Sequence, residues 1–430
     1  MSLLFLDGFD HYNTNAQLLA KWTASSDNTI APTTGSASRW SGGRGLSLSN
    51  NQWVKFFTSA NATWDCTFGV SLYRTSSSAT ASLRMVDPTG TPITRFDITA
   101  AGAVDPWNWL GTGYGWSNAT SAAGVIPPNQ WVHVTVYVRY AAAGGVLLVV
   151  VNGVTVLNYT GITTKDDPSP TMTLGGVYLS GTSADAVYFD DAFVSNQYGL
   201  DASNTIAAVR MQAVLPTGAG DSTQFTRIGS GASTNWGVVA QSTPPDSFDT
   251  YLFGAADGQS DLYSMAVTGG PIPSGKTVYG FVMRWWAQAN GSTPCGFAPL
   301  FKYTGLMPNP YIGATRLLSP SGLYYATPIY TALPDGSAAL APGSINAMQI
   351  GLMAAHPTAI PNPPQGTQFL YLPANLLTHA DTTPYSVRVT ALAPEGGVAT
   401  DAASLCTAFT VSDTGLAQVS QLLLEVLRTI

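Results

Sequence analysis

Glutamate is almost absent from this chain, and that shortage limits what the chain can fold into more than any other feature. The 430 residues include only two Glu, Glu395 and Glu425, and five Lys. Glu and Lys are strong helix formers that cover the solvent-facing sides of helices. A chain with so few of them, and with 43 Gly and 28 Pro, is poorly suited to helices. The sequence therefore predicts an all-β protein.

The charge pattern argues against nucleic acid and membrane partners. The net charge is -7, whereas binding a polyanion needs clustered Lys and Arg. The longest uncharged apolar stretch, residues 141–157, is interrupted by Gly144-Gly145 and Asn152-Gly153, which favours two strands and a turn over a membrane span. Residues 1–10 lack the cationic start of a signal peptide. We expect a soluble protein without a secretion signal.

The clearest local pattern lies at residues 131–159. Residues 131–139 alternate between polar and apolar, and the Gly144-Gly145 and Asn152-Gly153 pairs separate the β-branched runs that follow. Asn-Gly suits a type I′ turn, so the segment predicts a three-stranded antiparallel meander. Further short strands are predicted upstream between Ser, Thr, Gly and Pro clusters, at 53–57, 66–73, 81–86 and 95–98. Such spacing is typical of a sandwich or jelly roll.

Two motifs in this part resemble known families. The Trp131-Val-His133 strand, followed by strands joined through Asn-Gly, resembles the concanavalin A-like (laminin-G-like) jelly roll. The opening, Leu3-Leu-Phe-Leu-Asp-Gly-Phe-Asp-His-Tyr12, resembles the start of a group of tailed-bacteriophage virion proteins. Together they imply a jelly-roll domain at residues 1–198, with a closing strand at 186–194 beside the first strand.

The remaining chain resembles the regions that follow the jelly roll in phage tail-region proteins. The resemblance rests on Val209-Arg, on the Pro-x-Gly-x-Gly-Asp turn that ends at Asp221, and on Asp261-Leu-Tyr263. It implies a second β-sandwich-like domain after residue 198. A loop or linker is marked by Pro357, Pro361, Pro363 and Pro364, so this domain is expected at 199–364 and a β-rich C-terminal extension at 365–430. Residues 416–430 fit either a helical stripe or a terminal strand.

Catalytic patterns are not evident. Concanavalin-like glucanases need paired carboxylates on one strand, yet residues 1–394 contain no Glu. Asp190 and Asp191 are adjacent in a predicted strand and are expected to point to opposite faces. Four histidines occur without a nucleophile motif, namely His11, His133, His356 and His379, and His133 is expected to be buried and hydrogen-bonded. The sequence predicts a protein that is not an enzyme.

No metal or cofactor is predicted. Calcium could bind carboxylates if the terminal strands adjoin, but solvated or turn-capping side chains are the favoured interpretation of Asp7, Asp10, Asp190 and Asp191. The cysteines are far apart and form no CxxC motif. Ordinary core or surface residues are favoured over intersubunit disulfides for Cys66, Cys295 and Cys406.

The best binding candidate is an aromatic cluster in residues 105–116. Its flat rings offer contact surface to sugars or proteins, and the cluster consists of Trp107, Trp109, Tyr114 and Trp116. Three interpretations stay open: the rings cover one end of the sandwich, form a protein interface, or form a carbohydrate platform.

The resemblance implies a non-enzymatic structural component on the exterior of a tailed-phage particle, such as a tail fibre, collar, baseplate or capsid decoration. Its partners would be other virion proteins and copies of itself, and it would be assembled in the host bacterial cytoplasm. Residues 416–430 could add as a strand to a neighbouring copy. The alternative is a carbohydrate-binding receptor-recognition protein that binds a host surface glycan during attachment. A glycan-degrading tailspike is the weakest possibility.

Overall fold

The computed structural model describes most of the chain up to residue 355 and one later segment. The described residues are 3–10, 12, 14–19, 21–35, 38–39, 43–63, 65–88, 90, 92–109, 114–115, 120–141, 143–162, 164, 172–196, 208–229, 233–240, 250–267, 272–290, 295–303, 309–319, 323–355 and 416–429.

Strands dominate the described residues, and each of the three helices found there has only five residues. The elements up to residue 195 are β1 (Leu3–Asp7), α1 (Asn15–Leu19), β2 (Ala24–Ser25), β3 (Leu46–Leu48), β4 (Trp53–Thr63), β5 (Asp65–Arg74), β6 (Ala81–Val86), β7 (Pro92–Ile98), β8 (Val104–Trp109), β9 (Tyr114–Gly115), β10 (Trp131–Arg139), β11 (Gly145–Val151), β12 (Val154–Ile162), β13 (Met172–Gly181) and β14 (Val187–Ser195). The later elements are β15 (Val209–Thr223), β16 (Thr226–Ile228), α2 (Asn235–Val239), β17 (Tyr251–Gly254), β18 (Ser260–Val267), β19 (Val278–Asn290), β20 (Gly296–Tyr303), β21 (Tyr311–Ile312), β22 (Arg316–Leu317), β23 (Leu323–Ala326), α3 (Pro342–Asn346), β24 (Met348–Ala355) and β25 (Leu416–Thr429). The predicted all-β class is confirmed.

The strands up to β14 form a jelly-roll sandwich of two antiparallel sheets. The first sheet has the order β1-β14-β5-β10-β11-β12, with β3 beside β14, and the second has the order β2-β4-β13-β6-β7-β8-β9. One apolar core fills the space between them. It combines Val70 and Val134 of the first sheet with Leu83, Phe96 and Leu179 of the second.

The predicted meander is confirmed as β10, β11 and β12, which pair in that order. Its second turn has φ of 49° at Asn152 and 81° at Gly153, the positive values that a type I′ turn requires. The predicted neighbourhood of the first and closing strands is also confirmed, since β1 pairs with β14 and Leu6 lies opposite Phe193.

The opening motif has a structural role in the sandwich. The buried Asp7 carboxylate accepts hydrogen bonds from the Phe9 amide at 2.8 Å, the Tyr12 hydroxyl at 2.7 Å and the Trp22 indole at 2.8 Å. Lys21 adds an ion pair at 3.3 Å. Asp7 is therefore held by protein groups that fix the chain as it leaves β1.

The later strands form a third, strongly curved sheet. Its strand order is β17-β25-β15-β18-β24-β20. Strands β15 and β17 pair with different parts of β25 along one edge, and β19 pairs along the opposite edge. Although β19 and β20 are far apart along this path, the rings of Phe281 and Phe301 lie 5.7 Å apart. The sheet therefore curls around its own core, whose buried residues include Trp285, which stacks on Tyr325.

Strand β25 resolves the ambiguity at the C-terminus in favour of a strand. Residues 424–428 pair with β15 on one edge and β19 on the other, and residues 417–419 pair with β17 and β19. This part of the predicted extension thus lies inside the sheet formed by residues 209–355. A strand paired on both edges within its own chain leaves little for a neighbouring copy to pair with, so the expected strand addition at residues 416–430 finds no support here. The limits 198 and 364 remain predictions.

The third sheet packs on the outer face of the first sheet. Leu6 and Phe193 of the sandwich form an apolar cluster with Met211, Tyr279 and other residues of the later strands. A Cβ at Gly69 would lie 2.0 Å from the Phe193 ring, so only glycine lets Phe193 cross β5 at this point. One outer face of the sandwich is therefore occupied by the chain itself.

Two further observations concern membranes and thiols. No helix among the described residues is long and apolar enough to cross a membrane. Cys66 and Cys295 are buried free thiols, and burial raises the pKa of Cys295 to about 11. Cys406, His11, His356 and His379 lie outside the described residues.

Candidate functional site

A buried polar node lies where the sandwich meets the third sheet. The Arg39 guanidinium ion-pairs with Asp191 at 2.8 Å and donates to the Val209 carbonyl at 3.2 Å. Asp191 also accepts from the Ser71 hydroxyl at 3.0 Å and from the Met211 amide at 2.6 Å. These contacts join β14 of the sandwich to β15 of the third sheet, the two units of the fold.

The expected opposite orientation of Asp190 and Asp191 is wrong. The pairing of β14 with β5 is irregular between Asp190 and Phe193, and Asp191 has a φ of 51°. This irregularity breaks the two-residue alternation of a regular strand. As a result both carboxylates contact Arg39. The Arg39 backbone amide donates to Asp190 at 3.0 Å, and its guanidinium pairs with Asp191.

The node contains Ser, His and Asp, but not in the arrangement of a catalytic triad. His133 Nδ1 lies 3.0 Å from the Ser71 hydroxyl, and Asp191 contacts Ser71 and not the imidazole. In a triad the carboxylate orients the histidine, which then contacts the serine through its other nitrogen. His133 is 1 % exposed, and burial together with the Arg39 charge holds its pKa well below its ordinary value. The expectation of a buried, hydrogen-bonded His133 is confirmed.

The opposite side of the sandwich, the outer face of the second sheet, carries two rows of side chains. Residues directly opposite each other on β4, β13, β6, β7 and β8 form the rows. The basic row consists of Lys55, Tyr178, Arg84, Arg95 and Trp107. The polar row, two residues along each strand, consists of Trp53, Ser180, Ser82, Asp97 and Asp105. Five strands with four gaps of about 4.8 Å make each row about 19 Å long.

Each arginine of the basic row packs against an aromatic ring. The Arg84 guanidinium lies 4.8 Å from the centre of the Tyr178 ring, and the Arg95 guanidinium lies 5.2 Å from that of Trp107. Tyr178 stacks on Trp53 at 5.1 Å. All five of these side chains are partly exposed, so rings and guanidinium groups are presented together at the surface. Burial raises the pKa of Tyr178 to about 12 despite the nearby Arg84 charge, which keeps its hydroxyl a hydrogen-bond donor.

The polar row places two carboxylates side by side. Asp97 lies directly opposite Asp105. Asp97 forms an ion pair with Arg95 at 2.8 Å, and Asp105 accepts from the Thr120 hydroxyl at 3.0 Å. Burial raises the pKa of Asp97, while Ser82 and the two arginines act in the opposite direction. Ionised, both carboxylates are acceptors for hydroxyl groups at the same surface.

The predicted aromatic cluster is only partly a loop. Trp107 and Trp109 lie in β8 and Tyr114 lies in β9, so the loop prediction is wrong for these positions. Strand β8 forms because residues 104–108 pair along β7. Trp107 belongs to the basic row, whereas Trp116 lies outside the described residues. Sequence reasoning missed Trp53, Tyr178, Arg84 and Arg95.

The third sheet has a cleft of about 300 Å³. Its lining residues are Ala219, Thr223, Arg227, Ser233, Thr234, Asn235, Trp236 and Tyr263. Behind it, buried Asp261 accepts from the Phe225 amide at 2.8 Å, Asn235 at 2.7 Å and the Tyr263 hydroxyl at 2.9 Å. Asp261 of the Asp261-Leu-Tyr263 motif therefore holds the chain at Phe225 and the start of α2 in place beside β18.

The described residues contain no cluster of side chains suited to bind a metal ion. No group of three or more His, Cys, Asp or Glu side chains there could hold an ion. Of the four aspartates considered from the sequence, Asp7 is held near α1 and Asp10 accepts from the Arg44 amide at 2.8 Å, whereas Asp190 and Asp191 both contact Arg39.

Comparison with known proteins gives only weak similarities. No protein-family model and no curated protein matches the chain. A Bacillus subtilis protein of unknown function with a galectin-like fold aligns with 46 % of this chain and 96 % of its own, at 8 % identity and a TM-score of 0.33. The Bacillus subtilis carbohydrate-binding module CBM66 aligns with 40 % of this chain and 94 % of its own, at 8 % identity and a TM-score of 0.28. A sialidase aligns with 46 % of this chain at 12 % identity and a TM-score of 0.28, and the chain spans 19 % of its length. No functional residue is transferred from these proteins.

Proposed function

We propose that the protein is a non-enzymatic carbohydrate-binding protein and that the outer face of the second sheet is its recognition surface. The observation that carries this proposal is the basic row, in which two neighbouring arginines lie between Tyr178 and Trp107 in direct register across the strands. Its location supports the same conclusion, because the third sheet packs on the other side of the sandwich.

The chemistry of the face suits sugars. The apolar side of a sugar ring packs on a flat aromatic ring, and Trp107 and Trp53 provide such rings at a low cost in conformational entropy. Around them, Arg84 and Arg95 donate hydrogen bonds, and Asp97 and Asp105 accept them. A row about 19 Å long offers room for several sugar units.

Binding without hydrolysis is proposed because the paired carboxylates are held by other groups. A retaining glycosidase needs one carboxylate free to attack and another free to donate a proton. Here Asp97 is ion-paired with Arg95 and Asp105 is hydrogen-bonded to Thr120. Both are suited to hold hydroxyl groups of a bound sugar.

A glycan array with the full chain tests this proposal. We expect wild-type protein to bind a subset of glycans. Trp107→Ala should reduce that binding by about tenfold or more, because the stacking contact between the sugar and the indole ring is lost. Trp131→Ala is the matched control, since Trp131 is a partly exposed tryptophan on the other sheet. Absence of binding to any glycan, equal effects of both variants, or release of shorter sugars from the bound glycan would contradict the proposal.

The resemblance of the opening motif and of the Asp261-Leu-Tyr263 region to phage proteins supports a second proposal about context. We propose that the protein is displayed on the exterior of a tailed-phage particle, where glycan recognition would serve host attachment. Mass spectrometry of purified particles tests this, and a cryo-EM map of the particle would locate the chain and its copies. Particles from which the chain is absent would refute it.

A further inference from the structure

An imbalance of charge within the basic row indicates which glycans the face would select, an inference that rests on the proposed carbohydrate binding. Arg84 and Arg95 lie directly opposite each other on β6 and β7. Side chains in such positions are about 5 Å apart at their Cβ atoms, and two like charges there repel each other. The repulsion costs stability unless anions compensate both cations.

The protein compensates only one of the two arginines with a contact ion pair. Arg95 lies 2.8 Å from the Asp97 carboxylate. Arg84 donates its Nε proton to the Ser82 hydroxyl at 3.1 Å and packs over the Tyr178 ring. No carboxylate of the described residues forms an ion pair with Arg84. The guanidinium group is thus oriented by two neutral groups and keeps its charge available.

The orientation of Arg84 leaves its terminal nitrogens for a ligand. The Nε atom is used by Ser82 and one face of the group by Tyr178, whereas guanidinium binds a planar or tetrahedral anion through paired N–H groups. Arg84 is partly exposed. It therefore presents a positive charge at the surface of a chain whose net charge is -7. An anion here would also relieve the repulsion between Arg84 and Arg95.

We propose that the face selects acidic glycans, with Arg84 binding the carboxylate or phosphate of one sugar unit. Trp107, beyond Arg95 in the same row, would hold the apolar face of a neighbouring sugar ring. Ser82 and Tyr178 act as positioning residues for the guanidinium group. A neutral sugar would leave Arg84 without a contact ion pair and is therefore expected to bind less tightly.

The test uses the full chain on an array that includes neutral, uronate-containing, sialylated and phosphorylated glycans. We expect binding to acidic members, with Arg84→Gln weakening it about 10- to 100-fold, as loss of a charge-assisted hydrogen bond implies, and Arg84→Lys weakening it less. Arg139→Gln is the matched control, because Arg139 is an exposed arginine that pairs with Asp65 on the other sheet. Circular dichroism of each variant verifies folding.

The outcomes separate this inference from the proposed function. Acidic binding that depends on Arg84 supports it, and the glycans that respond assign the anion as carboxylate or phosphate. If wild-type protein binds only neutral glycans, or if Arg84→Gln binds acidic glycans as wild type does, this inference is overturned while carbohydrate binding stands. If no glycan binds, both proposals fail.

Discussion

Replacing Asp191 with alanine tests whether the buried node holds the two units together. Asp191 is completely buried and accepts hydrogen bonds from Arg39, Ser71 and Met211. The substitution removes the acceptor for all three donors at once. The Arg39 side chain, only 10 % exposed, then loses its ion pair with Asp191 at 2.8 Å.

The expected loss of stability follows from this burial. Breaking a buried ion pair by removing one partner costs about 3–5 kcal/mol, because the remaining charge stays desolvated. The loss of an acceptor for the Met211 amide is part of the same effect, since groups in one network are not additive. We therefore expect Asp191→Ala to lower the free energy of unfolding by about 3–5 kcal/mol.

Urea unfolding followed by circular dichroism measures this loss, and hydrogen exchange at the Met211 amide shows whether the interface between the units loosens. Asp191→Asn serves as a second variant, because Asn tolerates the positive φ of this position and removes only the charge. Asp185→Ala is the surface control, since Asp185 accepts from the exposed Ser76. A stability of Asp191→Ala within about 1 kcal/mol of wild type, far below the cost of a broken buried pair, would refute the reasoning.

Four further outcomes are expected. Gly153→Val should destabilise the sandwich by on the order of 1–3 kcal/mol, the cost of a strained backbone position, because Gly153 has a φ of 81° and a Cβ there would touch nothing that could compensate; an unchanged melting temperature would contradict this. The lowered pKa of His133 predicts that stability is lost as pH falls below about 6.5, since the unfolded state then takes up a proton that the folded state refuses; His133→Gln should reduce this slope, and an unchanged slope would exclude His133 as its origin. Deletion of residues 416–430 should give insoluble protein, because β25 pairs on both edges; a soluble, folded product would argue against that pairing. Far-UV circular dichroism should show a β-dominated spectrum, and more than about 25 % helix, which approaches the average of roughly 30–35 % for globular proteins, would rule out the fold.

Local sequence patterns predicted the fold where pairing partners are close in sequence. The meander at residues 131–159 was predictable because its strands are joined by Gly144-Gly145 and Asn152-Gly153, whose turn chemistry sets the pairing. The irregularity at Asp191 was not, because a bulge depends on how β14 meets β5, more than 100 residues away in sequence. The strand at residues 416–429 stayed ambiguous for a similar reason, since its partners decide its conformation.

The candidate site was less predictable than the fold. Trp107 was found because the density of tryptophan in residues 105–116 is visible locally. Tyr178 was missed because it reaches Arg84 only when β13 inserts between β4 and β6. Arg84 and Arg95 were missed because nothing in the sequence sets the register in which β6 and β7 pair. The available signal was weak. Polar and apolar residues alternate around Arg84 and Arg95, which places both side chains on an outer face. This alternation does not show that the two side chains lie next to each other.

The most direct test of the central claim is a hydrogen-exchange footprint of the full chain with a glycan that it binds on the array. The account predicts slower exchange in β6, β7 and β8, the strands that carry Arg84, Arg95 and Trp107, and no change in the strands around the cleft near Trp236. Protection confined to that cleft or to the first sheet, with β6 to β8 unchanged, would contradict it.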